Sequence, residues 1–312
     1  MADRKPGSDF GSAKTGQAGR NLGAADRLIR AIIGEILAIL AFFWLGGAWS
    51  ALVGFLAAAL LFTALTGRCR LYPAVGIPAF QAGRPARLAI AVPLLLAVAL
   101  LPAIGGYVSA RTTTAEFFGD CGRLNSALKK AIYGMESGVT RRGQESSLDP
   151  WTAEFERFSG KYGRYRPFVA KYDFRLDDDL ADIGGLNRQA ETRLSENDRL
   201  SAGQALRQAE MIWSGTVLRN RWPASRILSA GFRETARSLA TAAETGNAPA
   251  VLAAYPLAEL ELREMETVSP DDPGIRGMRS ALDGLMEASR QGHPDEMPHF
   301  ARPFQDWLDS NG

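Results

Sequence analysis

Histidine and cysteine, the side chains that most often serve metal sites and nucleophilic catalysis, are scarce in this chain. Its 312 residues include two histidines and two cysteines. It contains no Cys-x-x-Cys-His haem signature and no zinc-ligand spacing. We also find no nucleophile–base pair and no cofactor-binding loop. The sequence therefore predicts no catalytic, cofactor-binding or metal-binding residue, and we expect a protein that is not an enzyme.

Charged residues are nearly absent from the stretch Leu28–Thr66. A single helix of that length, at about 1.5 Å per residue, would be far longer than the hydrocarbon core of a membrane, which is about 30 Å thick. The pair Gly46-Gly47 favours a turn near the middle. Because backbone groups in lipid must bond within their own segment, both arms should be helical. We predict a transmembrane hairpin formed by Leu28–Leu45 and Ser50–Thr66, with Trp44 and Trp49 at the interface.

A third run, Leu88–Val108, also has no charge and is long enough to cross a membrane once. It contains Pro93 and Pro102, which spanning helices tolerate at the cost of a kink. The first apolar run follows a polar arm and leads directly into the second, so it does not resemble a cleaved signal peptide. The sequence therefore predicts three transmembrane helices.

Basic residues predict the orientation of these helices. They flank the hairpin on one side and are absent from its tip, so that both basic segments should be cytoplasmic. These basic residues are Arg4, Lys5, Lys14, Arg20, Arg27 and Arg30 before or at the start of the first helix, and Arg68, Arg70, Arg84 and Arg87 before the third. Basic residues also follow Val108, so the charges around the third helix do not decide its orientation by themselves. Three spans would place the C-terminal region outside, in the periplasm, with Cys69 and Cys121 on opposite sides and unable to pair.

Several spaced polar and small residues of the hairpin form a recognisable pattern. They are Asn21-Leu22-Gly23, Asp26-Arg27-Leu28-Ile29-Arg30, Gly34, Gly67-Arg68-Cys69-Arg70-Leu71-Tyr72 and Val75-Gly76-Ile77. Over residues 21–77 the chain resembles the YgaP-like inner-membrane transmembrane hairpin family, except that Arg70 stands where proline is usual. That family is largely a domain of unknown function, sometimes fused to a sulfur-transfer domain that is not evident here. The resemblance implies the bacterial inner membrane and no activity.

The resemblance and the apolar runs divide the chain into four parts. We predict a disordered cytoplasmic arm at 1–20, the hairpin at 21–77, a loop and third transmembrane helix at 78–110, and a periplasmic all-helical domain at 111–312. Residues 1–110 contain ten basic and four acidic residues, against 26 and 30 in the remainder. The mildly acidic outer domain gives no electrostatic reason to expect nucleic acid.

Residues 111–312 show helical periodicity and no sustained strand alternation. A helix could start at Thr112–Thr114 and run to about Met135, and Gly138–Leu148 is loop-like. Asp149-Pro150 is a favourable helix start, and that helix should end near Tyr172. The further candidates are Leu176–Arg193, Leu200–Arg219, Ser225–Thr245, Ala248–Thr267, Gly274–Gln291 and Asp295–Asp309.

The last six helices resemble three successive hairpins. Short polar breaks separate the two helices of each pair at Glu196-Asn197, Gly246-Asn247 and Gly292-His293. Such hairpins can stack as a short solenoid or close as a bundle. We favour the bundle because no residue pattern repeats strictly.

Two polar clusters raise the question of a metal site. His293, Asp295, Glu296 and His299 offer nitrogen and carboxylate ligands, and the acidic run Asp177-Asp178-Asp179 with Asp182 offers oxygens. Proline residues around the first cluster do not preorganise it, and the second lacks calcium-loop spacing. Acidic residues in the first turn of a helix are favoured by its dipole, which is the interpretation we prefer for both.

Glu35 is an acidic residue inside a predicted span, where ionisable residues are often functional. Its position within two turns of Arg27 and Arg30 also favours simple pairing with one of them. A hypothesis of ion or small-molecule handling would place Glu35 and Cys69 along a path through an oligomer. Substitution of both without any change in transport would reject it.

Aromatic and basic residues alternate between Tyr162 and Arg175. The aromatic members are Tyr162, Tyr165, Phe168, Tyr172 and Phe174, and the basic ones are Lys161, Arg164, Arg166, Lys171 and Arg175. A surface facing a partner or lipid is one interpretation. Core packing with basic side chains reaching the solvent is the one we favour.

The leading functional hypothesis is a non-enzymatic membrane protein that contacts membrane lipid and other membrane-protein subunits, or itself. Much helical surface combined with the lack of a reactive cluster favours an accessory or scaffold subunit of a larger complex, of respiratory or photosynthetic type. Ion or small-molecule handling is the alternative.

Overall fold

The computed structural model describes residues 24–67, 87–136 and 148–310, and these form ten α-helices, two short 3₁₀ helices and no strand. Within these residues the predicted all-helical fold is confirmed. The α-helices are α1 Ala24–Phe43, α2 Gly47–Thr66, α3 Arg87–Glu136, α4 Asp149–Tyr162, α5 Leu176–Ser195, α6 Arg199–Arg219, α7 Ala224–Glu244, α8 Ala248–Val268, α9 Pro273–Gln291 and α10 Arg302–Ser310. The chain divides into two compact units at Ser109 and Ala110, here called the hairpin unit and the outer unit.

The predicted hairpin is present in the hairpin unit, where α1 and α2 pack along each other. The turn falls at the predicted glycine pair, where Gly47 has a φ of +58° that favours glycine. Gly67 ends α2 in the left-handed conformation, and its N–H bonds to the carbonyl of Thr63 at 3.0 Å. Glycine therefore marks both ends of the second helix.

Small residues bring the two helices together. A Cβ atom added to Gly34 would lie 2.9 Å from Cγ of Leu61, so glycine allows α1 and α2 to pack closely at this point. One added to Gly54 would lie 3.8 Å from Cβ of Ala41, an ordinary contact. Ala57 is buried while Ala58 is exposed. Close backbone packing of this kind is typical of helices in membranes, where small residues form the contact.

Within the part of the chain that the structure describes, α2 alone is long and apolar enough to cross a membrane by length and composition, with a mean hydropathy of 2.0. α1 carries Asp26, Arg27, Arg30 and Glu35, which lower its apolar character. Both helices nevertheless expose large apolar side chains: Ile29, Ile33, Ile36, Leu40 and Phe42 on α1, and Leu52, Phe55, Leu56, Phe62 and Leu65 on α2. An apolar surface of this extent favours contact with lipid or protein.

α3 differs from its prediction, because one continuous helix runs from Arg87 to Glu136. The expected helix start at Thr112–Thr114 is wrong. Threonine can cap a helix, but it can also return its hydroxyl to the preceding turn, and Thr113 Oγ1 lies 3.4 Å from the carbonyl oxygen of Ala110. The predicted loop from Gly138 to Leu148 lies almost wholly outside the described residues.

The three predicted helix pairs are present in the outer unit as α5–α6, α7–α8 and α9–α10. Left-handed residues end the first helix of each pair, with φ of 61° at Asn197, 62° at Gly246 and 76° at Gly292. Asp198 and Asn247 then cap the following helices by accepting N–H bonds at 3.0 and 3.1 Å. Turn chemistry in the sequence therefore located these elements correctly.

Two boundaries in the outer unit are wrong. α4 ends at Tyr162 and not near Tyr172, because Pro167 opens a separate 3₁₀ turn at Phe168–Ala170. The last predicted helix, Asp295–Asp309, is divided into a 3₁₀ turn at Met297–Phe300 and α10. Proline residues within both segments explain the breaks.

Buried apolar side chains form two cores in the outer unit. The first joins the second half of α3 to α4, α5 and α6 around Phe117, Phe158, Tyr162, Trp213 and Trp222. The second lies among α7, α8, α9 and α10. Each core is enclosed by its own helices, as in a helical bundle.

α3 and α7 cross at a pair of glycines within the outer unit. A Cβ atom added to Gly122 would lie 2.5 Å from the backbone N of Gly231 and 2.6 Å from the carbonyl oxygen of Ile227. A Cβ added to Gly231 would lie 2.7 Å from the carbonyl oxygen of Gly122. The backbones touch, so neither position accepts a side chain.

Candidate functional site

The segment between α4 and α5, residues 163–175 and here called the aromatic loop, presents three aromatic side chains to solvent. Phe168 is 50% exposed, Tyr172 68% and Phe174 83%. The rings of Phe168 and Tyr172 meet edge to face with centroids 6.3 Å apart. Exposed aromatic side chains of this size are unusual on a soluble surface and often mark an interaction site.

A buried carboxylate holds the aromatic loop in place. Asp173 Oδ2 accepts hydrogen bonds from Asn220 Nδ2 at 2.6 Å and Arg219 Nη2 at 3.0 Å, and its Oδ1 accepts the N–H of Arg175 at 3.1 Å. Burial by itself would raise the pKa of Asp173, but these hydrogen bonds outweigh it and lower the pKa below its usual value. The carboxylate therefore stays charged and bonds the loop to the end of α6.

Further bonds fix the backbone of the same segment. Arg166 Nη1 donates to the carbonyl oxygen of Asp173 at 2.8 Å, and Trp222 Nε1 donates to that of Val169 at 3.3 Å. Ala170 is completely buried in the first core. The loop is thus anchored through backbone, carboxylate and apolar contacts, while its aromatic side chains remain outside.

The favoured interpretation of this segment as core packing is correct for Tyr162 and wrong for Phe168, Tyr172 and Phe174. Tyr162 lies in the first core and its hydroxyl donates to Asp120 Oδ2 at 2.6 Å. Burial, the main cause, raises the pKa of this phenol. The sequence could not separate the two groups, because the separation depends on where α4 ends.

The acidic run at the start of α5 serves the same anchoring network. Asp179 is buried, accepts the Thr216 hydroxyl at 2.7 Å and pairs with Arg219. Asp177 pairs with Arg166, and Asp178 is exposed. The run lies in the first turn of α5 as expected, but its partners come from the aromatic loop and from α6, the latter 37 and 40 residues away in sequence.

The histidine cluster is dispersed along an exposed turn. His293 Nδ1 lies 3.4 Å from Glu296 Oε1, while the side chains of Asp295 and His299 are exposed separately. No group of three His, Cys, Asp or Glu that could hold a metal ion occurs within 24–67, 87–136 and 148–310.

Asp26, Arg27 and Arg30 connect the two arms of the hairpin. Arg27 Nε donates to the carbonyl oxygen of Ala64 at 2.7 Å, which satisfies a free carbonyl at the end of α2. Arg30 Nε pairs with Asp26 Oδ1 at 3.1 Å. This geometry explains the Asp-Arg-x-x-Arg pattern as a structural clamp between α1 and the end of α2.

Glu35 pairs with neither arginine, so the expected ion pair is not present. It is 6% exposed, and its Oε2 has no hydrogen-bond partner. Cys69, its suggested companion, lies outside the described residues. Among the described residues, Glu35 therefore has no ion-pair partner.

The outer unit also buries a carboxylate that no sequence motif singles out. Glu261 in α8 accepts the Ser126 hydroxyl at 2.7 Å, and the nearby Lys129 pairs with Glu264. Burial raises the pKa of Glu261. The nearby Thr235 hydroxyl opposes that shift in pKa, although neither this hydroxyl nor Oε2 of Glu261 has a hydrogen-bond partner among the described residues.

Cys121 is completely buried in the first core as a free thiol. Burial raises the pKa of the thiol well above its usual value. A thiol kept protonated in an apolar core behaves as a small hydrophobic side chain and not as a nucleophile.

The comparisons with known proteins agree with the hairpin. Residues 18–83 match the family described as inner membrane protein YgaP-like, transmembrane domain, which confirms the resemblance and its limited extent. No curated protein and no solved structure matches the chain. The hairpin segment is therefore similar to a class of inner-membrane domains. The matched segment contains the clamp and the close packing of Gly34 against Leu61. The match ends before α3 begins.

Proposed function

We propose that this is a non-enzymatic inner-membrane protein in which three transmembrane helices anchor a periplasmic helical domain. The domain serves as an accessory or scaffold subunit of a larger membrane complex. The anchored aromatic loop is the observation that carries this proposal. Phe168, Tyr172 and Phe174 expose apolar surface from a segment fixed by Asp173 and Ala170.

Binding energy at protein interfaces is concentrated in a few aromatic and arginine side chains. The aromatic loop offers three such rings next to the exposed Arg164 and Arg175. Because the backbone is already held by buried bonds, a partner would order only side chains on binding, and the entropic cost is small. The surface therefore favours another folded membrane subunit as the occupant.

The membrane part of the proposal combines several observations. α2 is apolar enough to span, α1 exposes an apolar surface, and the segment that contains both matches a transmembrane family. The uncharged run Leu88–Val108 within α3 supplies the third span. The basic residues before α1 and before α3 support a cytoplasmic N-terminus.

Reporter fusions test the topology. Alkaline phosphatase, which is active only outside the cytoplasm, should be active when fused after Gly312 and inactive when fused after Arg87, because the two sites lie on opposite sides of a third span. Equal activity at the two sites would reject that span. The opposite pattern would reverse the orientation.

Co-purification in mild detergent tests the interaction. Combined replacement of Phe168, Tyr172 and Phe174 by serine should remove a stoichiometric partner and leave the thermal unfolding temperature nearly unchanged, since the three rings are exposed. The matched control replaces three exposed apolar residues of α6, Leu200, Met211 and Leu218, by serine. A partner that remains bound to the loop variant, or is lost equally from the control, would contradict the role of the loop.

A further inference from the structure

A cavity of the outer unit lies between the start of its α3 segment, near Arg111, and α7, and it is bordered by the ends of α8, α9 and α10. Its volume is about 810 Å³, which is in the range of small-molecule sites. All of its lining residues belong to the outer unit.

Three arginines converge on this cavity: Arg111 from α3, and Arg226 and Arg233 from one face of α7. In the described part of the chain none of the three forms an ion pair, and the buried Nε of Arg233 has no hydrogen-bond partner. An N–H of a charged group is costly to bury without an acceptor, so this nitrogen is suited to bind an acceptor group inside the cavity. The guanidinium fork matches the oxygen geometry of phosphate and carboxylate groups.

The remaining polar residues of the lining favour the same kind of ligand. Ser225 and Ser229 lie on the same face of α7 as the arginines, near the N-terminus of that helix, where the dipole favours negative charge. Asp272 is the one acidic residue of the lining, and its Oδ1 already accepts the N–H of Gly274 at 2.8 Å. The cavity therefore has an excess of positive charge and free donors.

One wall of the cavity is apolar. Phe118, Met265, Ile275 and Trp307 are buried residues of the lining. A free inorganic ion would leave this wall without contacts, whereas an organic phosphate would cover it.

We propose that the cavity is a binding site for a phosphate or phosphoester group with an apolar substituent. Arg233 is its central hydrogen-bond donor, and Arg226 and Arg111 supply further positive charge. Such a group can come from an anionic phospholipid or from a soluble phosphate compound. Arg111 follows the predicted third span by only three residues in the same helix, which brings lipid headgroups into consideration. The site requires no protein partner and is independent of the aromatic loop.

Binding can be measured on the full chain in a neutral detergent, by thermal unfolding and tryptophan fluorescence. The probes are inorganic phosphate, dihexanoylphosphatidylglycerol and, as a neutral control, dihexanoylphosphatidylcholine. The anionic probes should raise the unfolding temperature, and the neutral lipid should not. A larger effect of the anionic lipid than of inorganic phosphate supports the apolar substituent and a lipid source, whereas equal effects of the two probes would overturn the part assigned to the apolar wall.

Arg233→Gln and Arg226→Gln should each weaken this binding by about tenfold or more, since each removes a charge-assisted hydrogen bond. Arg226 is exposed, so its variant should fold even if the Arg233 variant does not. Arg237→Gln removes an exposed arginine one turn further along α7, outside the cavity lining, and should bind as the wild type does. No response to either anionic probe, or an equal loss in the Arg237 variant, would overturn the proposal.

Discussion

Gly122→Ala should destabilise the outer unit by about 3 kcal/mol, although the change adds a single methyl group. Alanine normally stabilises a helix interior relative to glycine by about 0.5–1 kcal/mol. Here the new Cβ would meet the backbone N of Gly231 at 2.5 Å and the carbonyl oxygen of Ile227 at 2.6 Å. Backbone atoms of a packed helix cannot rotate away, so α3 and α7 would have to separate and disturb both cores.

Gly119→Ala provides the matched control, because it is the same change one turn earlier on the same helix. Apart from its chain neighbours and the backbone of its own helix, no heavy atom lies within 4 Å of the Cβ position at Gly119, so this variant should be neutral or slightly more stable. Thermal unfolding of the full chain in mild detergent, followed by circular dichroism, compares the two. Equal unfolding temperatures would show that α3 and α7 do not cross at Gly122 and Gly231.

These two glycines differ in a tertiary contact that the sequence alone does not predict. Local chemistry was enough to locate the helix pairs, since Asn197, Gly246 and Gly292 each signal a helix end by themselves. The sequence also predicts a helix start at Thr112–Thr114, but α3 continues through these residues. Nothing in the sequence distinguishes Gly119, which meets open space, from Gly122, which meets another backbone.

The candidate site likewise combines features that the sequence indicates with contacts that only the fold creates. Its exposed aromatic residues are apparent in the sequence, since they alternate with basic residues along one segment. Their exposure depends on Asp173 bonding to Arg219 and Asn220, which lie 46 and 47 residues further along the chain. The cavity arginines are separated still more widely, with Arg111 on α3 and Arg233 on α7. Contacts over such separations are tertiary, and no periodicity or short motif predicts them.

Asp173→Ala should lower the stability of the outer unit by about 2–3 kcal/mol and release the aromatic loop. Removal of one partner from a buried pair usually costs about 3–5 kcal/mol. The cost is smaller here because Arg219 keeps Asp179 as a partner and its side chain is 32% exposed. The N–H of Arg175 and the amide of Asn220 would each lose a bond to the carboxylate. We therefore expect weaker co-purification of a partner as well as earlier unfolding.

The pH dependence provides an independent readout of the same carboxylate. The folded-state pKa of Asp173 lies below its usual value, so the stability it contributes is present above about pH 4 and is lost as the pH falls through the folded-state pKa. The wild type should therefore lose part of its stability in that acidic window, and the Asp173→Ala variant should lose less. Asp178→Ala, an exposed change in the same acidic segment, should keep the wild-type profile and the wild-type affinity for a partner. If the Asp173 and Asp178 variants behave alike, the buried carboxylate does not hold the aromatic loop.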